Sequence, residues 1–443
     1  MDSSLDLTDY LRHHARAYFA GPQSPGPQSP VSQSLGAQSP GAQSPGAQSP
    51  GAQSPGAQSP GAQSPGAQGP GTTGAAVRVE LRRTSRRINS TLLEFAVGVG
   101  EAEHRILVKQ PSAQKPSTQK RSAAEPVADD RPRLFPKAQP EWKSRFEFRA
   151  MSAIEQHVAG LDDPRFGAVR VLELLPDQQS LVLEKVSEKS LGRWLFWASL
   201  RPSRHAPGGP LDQALRNAGA WLRRYHELPA LEHTQPRGGS REEFLDPLAR
   251  LCEFLARATR DGSLARLGLE LTARATAILP PRFPLGLGHG DYAPRNVLAG
   301  PTGRIRVIDT LARWRAPIYE DLSQFLTALK ASAPQVLSHG LLCRPQLAAH
   351  FERQFLSGYF EGDRIPLDRI RLFECLTLME RWAAMTYRFH EARGWKRLAK
   401  GGRAVWSKRF LHDRITHLLA ETRTASSAPS LSAAYLPARE AVQ

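Results

Sequence analysis

The tract from residue 21 to residue 76 constrains this chain more than any other stretch. It holds no charged side chain, no aromatic and almost no aliphatic. Its centre is the unit Gly-Ala-Gln-Ser-Pro, repeated from Gly36 to Pro65 and followed by one imperfect copy at 66–70. Such a segment cannot bury enough apolar surface to offset the entropy of ordering it, and it is expected to be a disordered spacer. A unit of five small and polar residues builds no supersecondary element, so a solenoid is excluded. Collagen is excluded as well, because it needs glycine at every third position. Of the 443 residues, a folded body of roughly 320 is then expected, as two lobes or one large domain. Residues 1–20 read as a short helix or a disordered terminus, and 426–443 as a disordered tail.

Charge narrows the partners. Lysine and arginine number 59 against 42 acids, a net charge of +17. That balance favours phosphate, nucleic acid or a membrane surface without choosing among them. Cys252, Cys343 and Cys375 are far apart and match no metal spacing, which fits a reducing compartment and a cytoplasmic protein. The first twenty residues carry acids early and lack an apolar core, unlike a signal peptide. No run approaches eighteen apolar residues, so no spanning helix is expected.

Periodicity then lays out the folded part. Residues 77–83, 91–99 and 104–110 read as strands, and 111–140, rich in Pro, Ser, Lys and Ala, as a disordered insertion. Residues 141–158 predict a helix with Trp142, Phe146, Ala150 and Ile154 on one stripe. Two more strands follow at 169–175 and 180–186. Helical patterns then dominate, at 211–228, 242–259, 262–278, 321–332, 346–360, 367–390 and 403–421. Strands and one helix followed by a long helical half predict an α+β, two-lobe architecture. Its N-lobe is 77–186 and its C-lobe 187–425.

Chemistry concentrates between Leu285 and Thr310. Asp291 is followed by Asn296, the apolar pair Val297–Leu298, a turn, and a short strand ending on Asp309. A loop, a hairpin and a second acid bring two carboxylates and one carboxamide together with few degrees of freedom. Oxygen donors of this kind suit a hard divalent cation, with one carboxylate left to meet a hydroxyl.

This segment resembles the catalytic and metal-binding stretch of the aminoglycoside phosphotransferase and choline kinase group. These are small-molecule kinases with a protein-kinase-like fold, a small antiparallel-sheet N-lobe and a larger, mostly helical C-lobe. His289, Gly290 and Asp291 match the family's His-Gly-Asp, Asn296 its asparagine and Asp309 its metal-binding aspartate. The resemblance spans about 77–390, with the catalytic loop at 287–311. It implies ATP and Mg²⁺ as cofactors. Asp291 is then the catalytic base toward a small-molecule hydroxyl, and Asn296 and Asp309 hold the metal. Lys109, closing the third strand, becomes the phosphate-binding lysine. Glu147 is its helical partner, with Glu141 and Glu155 on the same helix as alternatives. Residues 181–191 resemble the family's hinge, so backbone near Glu184–Val186 is expected to meet the adenine edge. His226 reads as a packed helix residue, His289 as a brace for the loop and Arg295 as a surface residue. Asp321 reads as a structural acid tying the loop to the next helix.

Departures from the family pattern are visible too. The loop after the first strand, 82–91, has no glycine, leaving Ser85, Asn89, Ser90 or backbone amides to contact phosphates. Thr310 and Leu311 follow Asp309 where a protein kinase has Phe-Gly, which argues against activation-loop switching. Residues 331–425 carry sixteen Lys and Arg against nine acids, mildly disfavouring a polycationic acceptor. Glu361, Asp363 and Asp368 are the one acidic cluster able to receive such an acceptor there. A neutral or anionic alcohol, such as a sugar or glycan precursor, fits better. The basic rim also suits peripheral contact with an anionic surface. A nucleic-acid role rests on charge alone, without a motif. A non-catalytic kinase-like module is the alternative to an enzyme, and the retained Lys109, Asp291, Asn296 and Asp309 oppose it.

Overall fold

The computed structural model describes residues 7–19, 76–87, 90–111, 140–202, 206–331, 344–390 and 407–422. The expectations for the repeat, the 111–140 insertion and the C-terminal tail fall almost wholly outside the described residues. The chain divides into two compact units. The first comprises Met1–Glu80 with Ala96–His104. In it, helix α1 (Leu7–Phe19) buries Leu11 and Ala15, and the Phe19 ring stacks on His104 at 3.7 Å. The second unit comprises Leu81–Phe95 and Arg105–Gln443 and carries every residue of the candidate site.

A five-stranded sheet runs in the order β1 (Val77–Arg86), β2 (Ser90–Val99), β3 (Ala102–Pro111), β6 (Ser180–Glu184), β5 (Val171–Leu175). Only Gly100 and Glu101 join β2 to β3, so those two strands must run antiparallel, and Gly100 supplies the positive φ of the turn. β3 pairs antiparallel with β6, setting Val108 opposite Val182 and Lys109 opposite Leu181. Alternation buries Ile106 and Val108 on one face and turns Lys109 to the other.

Helix α2 (Pro140–Leu161) follows, and its buried face departs from the expected stripe. Ser144, Glu147, Ala150, Met151 and Ile154 are buried, whereas Trp142 is half exposed. The apolar count missed this because a glutamate occupies the buried face, held there by an ion pair. Trp142 lies against Phe146, whose ring stacks on His233 at 4.3 Å.

The helical part contains α3 (Leu191–Leu200), α4 (Pro210–Glu227), α5 (Arg241–Thr259), α6 (Gly262–Ile278), α7 (Ile318–Lys330), α8 (Pro345–Phe360) and α9 (Leu367–His390), with a further helix, α10, over 407–422. Local chemistry sets several boundaries. Gly209 precedes Pro210 at the start of α4, and Ser240 forms a capping box with Glu243 at the start of α5. α4 is the central helix, burying Leu215, Trp221, Leu222 and Tyr225 on its apolar stripe. It meets α8 at backbone contact. A Cβ on Gly219 would lie 2.0 Å from the Phe355 carbonyl oxygen, and one on Gly358 would lie 1.9 Å from that of Arg216.

Two small sheets, not foreseen as sheets, hold the loop segment in place. One runs β4 (Phe166–Gly167), β11 (Ile305–Val307), β10 (Val297–Ala299), β7 (Lys189–Ser190). The other runs β8 (Gln235–Pro236), β12 (Trp314–Pro317), β9 (Leu285–Gly288). Strands of two to four residues leave little periodicity to read, and their partners come from distant parts of the chain.

Candidate active site

β9 ends at Gly288, and the segment 289–296 forms a loop before β10. Gly290 has φ +79, a conformation that costs other residues a steric clash with their own Cβ. The loop is braced from α7. Asp321 accepts the backbone N–H groups of His289 at 2.7 Å and Gly290 at 2.9 Å. His226 Nε2 lies 3.2 Å from the same carboxylate, and its Nδ1 lies 2.8 Å from the Tyr359 hydroxyl. Burial pushes the Asp321 pKa up, but His226, His289 and the amide donors outweigh it and hold the carboxyl below its ordinary value. Asp321 therefore ties the loop to the next helix as expected, and His226 is the second half of that brace.

His289 is buried among Trp221, Tyr225 and Tyr292, and burial lowers its pKa, favouring the neutral ring. Its Nδ1 accepts the Asp291 N–H at 3.4 Å. Buried and bonded to the Asp291 N–H, the ring braces the loop backbone.

Asn296 reaches back across the loop. Its Nδ2 donates to the Asp291 carbonyl at 2.9 Å and to Asp291 Oδ2 at 3.1 Å. With the amide nitrogen committed there, Oδ1 is the remaining acceptor of the side chain. Asp291 is half exposed and also receives Arg295, four residues on. Sequence reasoning left Arg295 on the surface. The i, i+4 spacing was the available signal that it faces Asp291.

The β10–β11 hairpin carries the second acid to the loop. Val297 pairs with Val307, and the Ile308 N–H donates to the Asn296 carbonyl at 3.0 Å, so Asp309 emerges one residue beyond Asn296's partner. Asp309 has φ +65, uncommon for a residue with a Cβ. The residues after it are pinned. Thr310 Oγ1 lies 2.6 Å from the Tyr225 hydroxyl, and the Leu311 and Ala312 carbonyls receive His233 and Thr234 at 2.8 and 2.7 Å.

Lys109 Nζ donates to Glu147 Oε1 at 2.6 Å and also to Asp309 Oδ1. Of the three helix acids considered, Glu147 is the partner. Glu155 instead lies 3.4 Å from the Val171 N–H and 3.8 Å from Arg170. Burial alone would lower the Lys109 pKa, but the two carboxylates outweigh it and raise it. Burial raises Glu147 against the pull of Lys109, whereas Asp309, also pushed up by burial, ends below its ordinary value because of Lys109.

In the segment expected to be the hinge, the Glu184 N–H is spent on the Arg170 carbonyl at 3.0 Å and the Lys185 N–H on the Arg105 carbonyl at 2.9 Å. Val186 is the first residue beyond that ladder. It joins Leu107, Leu298 and Ile308 around the buried cluster of Met151, Val169, Leu181 and Leu183. Beside Asp291, on the other side of the loop, lies a cavity of about 490 Å³ walled by α7 and α9. Glu361, Asp363 and Asp368 do not line it, and Asp363 is paired with Arg223 at 3.0 Å.

The sequence of residues 132–320 matches the family model described as the phosphotransferase enzyme family. That segment holds Glu147, the stretch Glu184–Val186 and the whole of Asp291–Asp309. The matched segment begins after Lys109, so the lysine joins the loop through the sheet rather than through the matched stretch. The fold is similar to that of a choline/ethanolamine kinase family protein from Mesorhizobium loti, at 14% identity over 80% of this chain and 94% of that one, with a TM-score of 0.45. A glucosamine kinase solved with glucosamine, ADP and inorganic phosphate gives 16% identity, 80% and 84% coverage and a TM-score of 0.45. An amicoumacin kinase solved with AMP-PNP and Ca²⁺ gives 14%, 76% and 88%, and 0.45. No curated protein matches the sequence. Among the described residues, no helix is long and apolar enough to cross a membrane.

Proposed function

We propose that the chain is an ATP-dependent phosphotransferase that moves the γ-phosphoryl group to a hydroxyl of a small molecule. The observation that carries this reading is the double contact of Lys109 with Glu147 and Asp309, next to a loop that presents Asp291 and Asn296. Lys109 is set to hold the α- and β-phosphates. The backbone around Glu184–Val186 is set to meet the adenine edge, with Leu107, Leu298 and Ile308 as apolar neighbours of that segment.

The donors fit Mg²⁺. Asp309 offers a half-exposed carboxylate and Asn296 a carboxamide oxygen freed by the commitment of its nitrogen. No group of three or more His, Cys, Asp or Glu able to hold a metal exists among the described residues. Mg²⁺ takes one or two protein oxygens and fills the rest of its shell with phosphate and water. When bound, Mg²⁺ neutralises charge on the β- and γ-phosphates.

In the transfer, the acceptor oxygen forms a bond to the γ-phosphorus while the bond to the β–γ bridging oxygen breaks. ADP leaves with that electron pair, and the acceptor proton passes to the Asp291 carboxylate. Asp291 is oriented by Asn296 through its side chain and by Asp321 through the loop backbone. The transition state is loose, so positioning outweighs basicity.

Two variants test the assignments. Asp309→Asn should weaken metal-dependent ATP binding, and a titration showing parent-like Mg-ATP affinity would remove Asp309 from the metal site. Asp291→Asn should lower kcat for transfer by roughly 10²-fold or more while leaving the ATP dissociation constant nearly unchanged. An absence of transfer by the parent protein over a broad panel of alcohols would favour a non-catalytic binding module.

A further inference from the structure

The cavity beside Asp291 has a charge pattern that bears on the acceptor. Asp291 and Arg295 come from the loop, Gln324 from α7, and Thr377, Glu380 and Arg381 from α9. Neither Lys109 nor Asp309 lines it, so it lies on the acceptor side of the base rather than on the nucleotide side. At about 490 Å³ it is sized for a small molecule.

Arg381 is the unusual member. It is half buried, and its one hydrogen bond among the described residues is a long one, 3.5 Å to the Gln324 carbonyl. Burial, with Arg295 adding like charge, pulls its pKa down to about 10 against the opposing pull of Asp291 and Glu380. Glu380 on the same wall has a partner of its own. A guanidinium partly removed from water without a carboxylate in contact is costly, and an incoming anion relieves that cost. Its planar fork matches a carboxylate or phosphate bidentately.

Arg295 adds a second constraint, because it sits on the carboxylate that must meet the acceptor hydroxyl. A cationic acceptor would meet two arginines and would compete with Arg295 for Asp291. An anionic one would draw Arg295 away from Asp291 and satisfy Arg381 at the same time, uncovering the base as it binds.

We infer that the acceptor is an anionic alcohol, a small hydroxyl compound whose carboxylate or phosphate is held by Arg381 with Arg295. This rests on the phosphotransferase reading for its hydroxyl chemistry, but the cavity can be tested without turnover.

Calorimetric titration of the full chain with glycerol 3-phosphate, glycerate, glycerol and ethanolamine provides that test. Both anions should bind at least about tenfold tighter than glycerol, the scale of one charge-assisted hydrogen-bonded contact. The tighter of the two separates phosphate from carboxylate recognition. Arg381→Gln should erase the preference, and Arg381→Lys should keep part of it, retaining charge without the fork. The inference falls if glycerol or ethanolamine binds as tightly as the anions, or if Arg381→Gln binds them like the parent. Mg-ATP titrated into the same preparation separates the two readings. ATP binding with a cavity that prefers neutral or cationic ligands overturns only this inference. Anion preference without any ATP binding supports the cavity assignment and overturns the phosphotransferase reading.

Discussion

Lys109 and Lys330 are both buried among carboxylates, yet their pKa values move in opposite directions. Lys330 bonds Glu352 at 2.8 Å and Glu374 at 3.0 Å, but it shares both acids with Arg371, which reaches Glu374 at 2.6 Å and Glu352 as well. Burial, then the neighbouring guanidinium, lowers Lys330. Lys109 has Glu147 and Asp309 without a rival arginine in contact, and its pKa rises. The Lys330 group is sealed, its four side chains being 1–7% exposed, and its two cations balance two acids, with Glu421 at the rim. The Lys109 group has one cation for two acids, and Asp309 remains 43% exposed. A balanced, closed cluster joins α7, α8 and α9 as framework. An open cluster with an excess negative charge leaves room for the further cation proposed above. The same residue types serve both, and access to solvent and charge balance separate them.

The strongest way to break this comparison is to remove each lysine. Lys330→Met should cost about 3–5 kcal/mol of stability, because two buried glutamates are left with one arginine. Chemical denaturation measures it, and a stability unchanged by the substitution would mean the cluster is not framework. Lys109→Met should weaken Mg-ATP binding by about tenfold or more, the value of a lost charge-assisted contact. Parent-like ATP affinity in that variant would dissolve the distinction between the two lysines.

A smaller effect comes from another buried acid. Glu320 contacts Arg237 but lies beside Asp321, and burial pushes its pKa up to about 7 from an ordinary 4.5. The unfolded chain then loses this proton before the folded one does. Stability due to this group is fully present below about pH 4.5 and is lost as pH rises to about 7. Glu320→Gln should remove this contribution, flattening the decline in melting temperature across that window. A decline as steep in the variant as in the parent would assign the pH dependence to other groups.

Much of the site was legible because it is local. From His289 to Asp309 the functional groups lie within one loop and one hairpin, and covalent geometry leaves them little freedom to separate. The order of strands and helices was likewise readable from periodicity, including the lysine at the end of the third strand. The stripe on α2 was misread because a buried glutamate interrupts the apolar count, and periodicity cannot register an acid whose burial is compensated by a lysine on another strand. The two small sheets escaped for a related reason, since β7 and β4 are two-residue strands that acquire meaning only when β10 and β11 arrive beside them.

The sequence by itself determined the spacing of Asp291, Asn296 and Asp309, the glycine that the loop needs at 290, and the acid at 321 that was expected to brace it. Only the tertiary structure decided that Glu147 rather than Glu155 meets Lys109, that His226 backs Asp321, and that Arg381 on α9 stands over the cavity beside Asp291. Spacing along a chain fixes what a short segment can present. Contacts between distant segments are fixed by how helices and sheets close on one another to bury apolar surface, a collective result that no single stretch of sequence specifies.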